Sequence, residues 1–163
     1  MRKVILWLCL ILAMAGVYQF GHEAGYAEGF DAGQVAPRPI QKPASGEILR
    51  GKEYSTSSIT VTADSTHDYV VSLKFVTGAE CMAFYVAAGD TVTVGTPGNT
   101  LYAYFASGTK WYGYGEGLMF GADTDYSKDD DPLDFSHYSW EYTLYPVTDG
   151  NFSETPSSED EFF

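Results

Sequence analysis

The hydrophobic rhythm of the chain changes twice. Residues 4–20 form one uncharged, mostly apolar run directly behind Met1, Arg2 and Lys3. Positive charge followed by such a run marks a signal peptide or a signal anchor. Its seventeen residues would span ~25 Å as a helix, slightly under a ~30 Å hydrocarbon core, so anchoring asks for some bilayer thinning or help from Gly21 onward. Ala13-Met14-Ala15 has the small-x-small form of a cleavage site, but it would make a signal peptide at the shortest end of the usual range. A retained anchor is therefore the preferred expectation for residues 1–20, with secretion after cleavage as the alternative. With Arg2 and Lys3 inside, the rest of the chain lies outside the cytoplasm.

A period of four follows. Gly21, Gly25, Gly29 and Gly33 recur beside the parallel series Tyr18, His22, Tyr26 and Phe30, and on a helix both series form stripes along one side. Each helical glycine costs ~1 kcal/mol relative to alanine. Residues 21–33 are thus either a stalk whose glycines pack against a second copy, giving a homo-oligomer, or a loose tether. Pro37, Pro39 and Pro43 make residues 34–45 an extended spacer.

Within residues 46–152 the period switches to two. Ile59, Val61 and Ala63 alternate with Ser58, Thr60 and Thr62, the pattern of a half-buried strand. Residues 69–76, 81–87, 91–94, 101–106 and 140–147 read the same way, with Val71, Leu73 and Phe75 inward and Ser72 and Lys74 outward in the first of them. Turn residues separate them, as in Ala88-Gly89-Asp90 and Thr96-Pro97-Gly98-Asn99. Six or more short strands without a helical stripe predict an all-β domain, an antiparallel β-sandwich of jelly-roll-like or Ig-like type with one core between two sheets. A partly open barrel is the alternative. Residues 153–163 read as an acidic, fraying tail, with Phe162 and Phe163 as its one means of docking.

Composition narrows the partners. The net charge is −13, which argues against nucleic acid and anionic lipid, and the acidity is concentrated over residues 121–163, where Lys128 is the only lysine or arginine. Cys9 lies in the apolar run and leaves Cys81 without an obvious partner, so no disulfide framework is expected.

Trp111-Tyr112-Gly113, Leu118-Met119-Phe120-Gly121, Thr124-Asp125-Tyr126-Ser127-Lys128-Asp129-Asp130, Trp140-Glu141-Tyr142-Thr143-Leu144-Tyr145-Pro146-Val147 and Gly150-Asn151-Phe152 resemble segments of a group of small, uncharacterised, membrane-anchored envelope proteins of Gram-positive type. In that group a Gly/aromatic-repeat stalk precedes one β domain. The resemblance covers residues 46–163 and implies a fold class and a location, with no activity attached.

Two constellations are candidates for chemistry. Asp123, Asp125, Asp129 and Asp134 lie in an aspartate-rich stretch that suits a hard cation such as Ca²⁺. Counted from Asp123, they follow the spacing of a helix-loop-helix calcium loop in part, but Lys128 stands where glycine is needed and Pro132 interrupts the second half. A solvated acidic loop and an irregular calcium loop are the two readings. The second constellation is aromatic. Tyr102 and Tyr104 alternate with Leu101, Ala103 and Phe105, and Trp111 and Tyr112 follow. These four form either an outer platform for a carbohydrate or protein ligand or a face buried under residues 112–138. Catalysis has less support: Asp134, Ser136 and His137 supply the residue types of a hydrolytic triad as close neighbours in sequence, which rarely adopt triad geometry. The expected function is a binding or interaction module rather than an enzyme, with an envelope hydrolase using acidic residues, or a purely structural self-associating surface protein, as alternatives.

Overall fold

The computed structural model describes residues 37–144 and 154–163. The apolar run, the glycine stripe and residues 145–153 lie outside the described residues. Among the described residues no helix is long and apolar enough to cross a membrane. The compact unit begins at Arg38, earlier than the spacer reading placed it. Lys42 pairs with Asp68, the Ile40 amide donates to the Trp111 carbonyl at 2.8 Å, and the Gly46 amide donates to the Tyr85 carbonyl at 2.7 Å.

Strands dominate. In chain order they are β1 (Ile48–Arg50), β2 (Ser57–Ala63), β3 (Asp68–Phe75), β4 (Glu80–Val86), β5 (Thr91–Thr96), β6 (Thr100–Gly108), β7 (Asp125–Asp129), β8 (Leu133–Asp134), β9 (Trp140–Leu144) and β10 (Glu154–Pro156), followed by one helical turn, α1 (Glu159–Phe162). Each of the six segments expected from the alternation holds a strand, the last of them described as far as Leu144, and the fold is all-β. The large sheet runs β1-β4-β3-β6-β7-β10, with β8 also on β6, and is antiparallel throughout. The small sheet is β5-β2-β9. Here β2 and β5 are antiparallel but β2 and β9 run parallel, a departure from the all-antiparallel expectation. Parallel neighbours need a long crossover connection, and residues 64–139, which hold most of the large sheet, are that connection.

Two cores follow instead of one. Ile59, Val61, Val94, Tyr142 and Leu144 of the small sheet meet Val71, Leu73, Phe84, Leu101, Ala103 and Phe105 of the large one. On the opposite face of the large sheet, Val70, Ala83, Tyr85 and Ala106 are covered by Trp111, Met119, Phe120 and Phe162. The outward face of β3 is therefore not wet: Ser72 and Lys74 are buried. Lys74 donates to the Glu161 carbonyl at 2.7 Å and lies 5.0 Å from the centre of the Tyr104 ring, which gives its charge two acceptors under the cover. The cover fits closely because Gly108 lacks a side chain; a Cβ there would stand 2.2 Å from Phe120 Cβ.

The last residues belong to this cover. β10 pairs with β7, the Ser158 side chain caps α1, and Phe162 is fully buried. The fraying expected of this tail gives way to the burial of one aromatic side chain, worth roughly 1.5–3 kcal/mol, together with a short ladder.

Candidate functional site

The four aromatics singled out in sequence do not form one open platform. Trp111 is 3% exposed and meets Tyr85 and Phe120 edge-on, at 5.4 and 5.5 Å between ring centres. Tyr104 packs against the same core, while Tyr102 and Tyr112 are half-buried. The covering layer claims this face, through residues 111–120 and the C-terminal turn.

The aspartates are dispersed among structural tasks. Asp123 ends a single 3-10 turn, Asp125 opens β7, and Asp129 closes it. Asp129 is buried, where it accepts a hydrogen bond from the Tyr142 hydroxyl and another from the Asp131 amide at 3.1 Å. Burial first, and then the Asp129 carboxylate, hold the Tyr142 hydroxyl well above the usual phenol range. Among the described residues no group of three or more His, Cys, Asp or Glu side chains is arranged to hold a metal ion.

Asp134 begins a local turn instead. It accepts from the Ser136 amide at 2.9 Å and from the Ser136 hydroxyl, while His137 Nδ1 lies 2.9 Å from both Asp134 Oδ2 and Ser136 Oγ. The Ser136 hydroxyl and His137 hold the Asp134 carboxyl down to about 2. A catalytic triad needs the imidazole to bridge serine and carboxylate through different nitrogens. Here both meet Nδ1, so the imidazole does not link one to the other.

The same design recurs in Asp64-Ser65-Thr66-His67. Asp64 accepts from the amides of Thr66 and His67 and from the Tyr69 hydroxyl at 2.6 Å, and the same hydroxyl lies 3.0 Å from the Leu144 carbonyl, which can share its one proton. Burial alone would raise the Asp64 carboxyl, but the hydrogen bonds from Thr66, Tyr69 and His67 outweigh it and hold the group well below its ordinary 3.8. A depressed carboxylate contributes stability that is present above its unfolded value and lost as pH falls through the folded one. Asp64→Ala is thus expected to lower stability at neutral pH, and its deficit against the wild type should shrink once the pH drops below about 4. Urea unfolding at neutral pH and near pH 2.5 checks this; a deficit that stays constant on acidification would contradict it.

Among the described residues, what stays open is the outer face of the small sheet, except at Gly95, where a Cβ would stand 1.8 Å from the Tyr54 carbonyl oxygen and Glu53 accepts from the Gly95 amide at 3.3 Å. Because Ile59, Val61, Tyr142 and Leu144 enter the core, their strand neighbours point away from it. Register places Thr91, Thr62 and Thr143 in one row, Thr93, Thr60 and Glu141 in the next, and Gly95 beside Ser58 in the third. Ser139, just ahead of β9, completes that third row by accepting from the Ser58 hydroxyl at 3.1 Å. Thr60 pairs with Thr93, and Thr62 with Thr91, each at 2.9 Å between hydroxyl oxygens. Glu141 is the only charged side chain among these nine positions. Tyr138, just ahead of Ser139, is 63% exposed; its ring is edge-on to Trp140 at 6.4 Å, and Trp140 packs toward the core, so the ring stands on that side of the sheet and not on the hydroxyl face. Ser57 fixes this corner by donating to the Tyr138 carbonyl at 2.7 Å. The alternation of Ser58, Thr60 and Thr62 was legible in sequence. That these join β5 and β9 in a single hydroxyl face depends on pairings between residues far apart in the chain.

No protein-family model matches the chain, and neither a curated protein nor a solved structure matches it.

Proposed function

We propose that the chain is a single-pass, membrane-held β-sandwich on the outer side of the membrane, and that its work is binding. Arg2 and Lys3 ahead of the uncharged run 4–20 support the anchor and its orientation. Inward side chains of both sheets entering one core support the sandwich. The glycine stripe supports a homo-oligomer through Gly21, Gly25, Gly29 and Gly33, which would present several copies of the domain side by side. The resemblance to small envelope proteins agrees with this location.

One observation carries the binding reading: on the outer face of the small sheet two rows, Thr91, Thr62 and Thr143 and then Thr93, Thr60 and Glu141, are at least partly exposed among the described residues and present five hydroxyls side by side. Small hydroxyl side chains that can both donate and accept suit recognition of carbohydrate or protein. The Ser136-His137-Asp134 geometry, with two groups on one nitrogen, favours a binder over a hydrolase. Full-length protein in detergent, mixed with isolated Gram-positive cell envelopes, is expected to co-sediment with them. Thr60→Val and Thr93→Glu together should reduce that fraction at least tenfold at an unchanged melting temperature. Undiminished co-sedimentation would remove the face from the proposal.

A further inference from the structure

We infer that the groove holding the C-terminal segment is a docking site for the same segment of a second copy, so that neighbouring chains exchange residues 154–163; this rests on the reading of the chain as a homo-oligomer. The first argument is what the groove reads. β10 adds to the edge of β7 through Glu154, Thr155 and Pro156, opposite Asp129, Lys128 and Ser127. Beyond it, Glu159 accepts from the Gly117 amide at 2.6 Å and from the Tyr126 hydroxyl at 3.3 Å, and Glu161 pairs with Lys128 at 3.2 Å. Phe162 fills the apolar pocket beside Trp111, Met119 and Phe120, and the Phe163 ring meets Tyr114 edge-on at 5.5 Å. A strand on an edge, two carboxylates read by donors and a buried aromatic anchor are the elements of peptide recognition. They specify the partner: a segment with two acidic residues two positions apart and two aromatics behind them, which every copy carries.

Topology supplies the second. The groups that read Glu159, Glu161 and the two rings belong to β3, β7 and residues 111–120. After β7 the chain passes through β8 and then through β9 of the other sheet before it reaches β10. Groove and segment are therefore joined only by way of the small sheet, and no hairpin obliges a segment to enter its own groove. Exchange also keeps every groove filled, so the stability that deletion of the segment would remove is retained.

Effective concentration decides between a chain's own segment and its neighbour's, because the bonds made in the groove are the same for both. Residues 145–153 tie the segment to β9. Nine residues reach up to ~30 Å when extended, and a tether of that length gives an effective concentration on the order of millimolar. Between the last glycine of the stripe, Gly33, and the domain at Arg38 stand only residues 34–37. Copies joined at the stripe thus hold their grooves at a comparable effective concentration, and the two arrangements differ by about tenfold or less.

The experiment traps the exchange. The Ser157 amide donates to the Tyr126 carbonyl at 2.9 Å, which makes Pro156 and Ser127 a non-hydrogen-bonded pair, with Cα atoms ~4.5 Å apart, inside the range a disulfide closes. Ser127→Cys on one full-length chain and Pro156→Cys on another, both in a Cys9→Ala/Cys81→Ala background, are co-expressed, extracted in detergent and oxidised. The expected result is a bridge between chains in at least about one tenth of them. Asp160→Cys in place of Pro156→Cys, exposed but out of register, should bridge at least about tenfold less. Both substitutions on one chain establish that the pair oxidises, and Lys128→Cys with Thr155→Cys repeats the reading one residue along the ladder. Bridges confined within single chains for both pairs, or equal bridging by Asp160→Cys, overturn the inference. Gel filtration in the same detergent separates it from the reading it rests on. An oligomer without cross-chain bridges leaves the stalk contact standing and removes the exchange, whereas a monomer without them removes both.

Discussion

Replacing Phe162 by alanine is expected to destabilise the domain by about 3–5 kcal/mol, and deleting residues 158–163 by at least as much. Phe162 has no exposed surface and packs against Tyr126, with ring centres 5.5 Å apart. Around it the C-terminal turn makes bonds that hold the covering layer to the large sheet. Lys74 donates to the Glu161 carbonyl at 2.7 Å, Lys128 pairs with Glu161 at 3.2 Å, and the Gly117 amide donates to Glu159 at 2.6 Å. Deletion would therefore uncover the aromatic core under Trp111 and return Lys74 to water. At roughly 3–5 °C per kcal/mol for a domain of this size, Phe162→Ala should lower the melting temperature by about 10 °C or more. Phe163→Ala should cost less, because Phe163 is half-buried. Thermal melts of the three variants measure this. A truncated chain melting within about 2 °C of the wild type would mean that the segment adds no net stability.

That segment also marks the limit of what could be read from the sequence. β2, β3, β4, β5, β6 and β9 were legible because each buries one face, and a half-buried strand alternates. β7 was not: Asp125-Tyr126-Ser127-Lys128-Asp129 has no apolar alternation, and its strand conformation comes from the ladders with β6 on one side and β10 on the other. β10 includes Pro156, which cannot donate to a ladder and is tolerated because β10 is the last strand of the sheet. Tertiary pairing overrode composition in both. The same override explains the acidic end. Glu159 and Glu161 accept hydrogen bonds from Gly117, Tyr126, Lys128 and Ser157, and Asp130 from Thr155. A carboxylate on a backbone amide 42 residues away leaves no local trace.

Tyr142→Phe is expected to cost about 2–3 kcal/mol, although it removes a single oxygen atom. Tyr142 comes from β9 of the small sheet and Asp129 from β7 of the large one, so their hydrogen bond ties the two sheets together through the core. The ring itself would remain against Phe105, 5.4 Å away between centres, and so the change isolates the polar term. Removing the donor leaves a buried carboxylate, 8% exposed, short of one partner, and the desolvation of a charged acceptor outweighs the small apolar gain of phenylalanine. Asp129→Asn in the Tyr142→Phe background should recover part of the loss, since a neutral amide is cheaper to bury than a charge. The double-mutant cycle, read by urea unfolding, is expected to give a coupling of about 1 kcal/mol or more. Additive effects of the two substitutions would place the cost of Tyr142→Phe elsewhere and leave apolar packing alone to join the sheets.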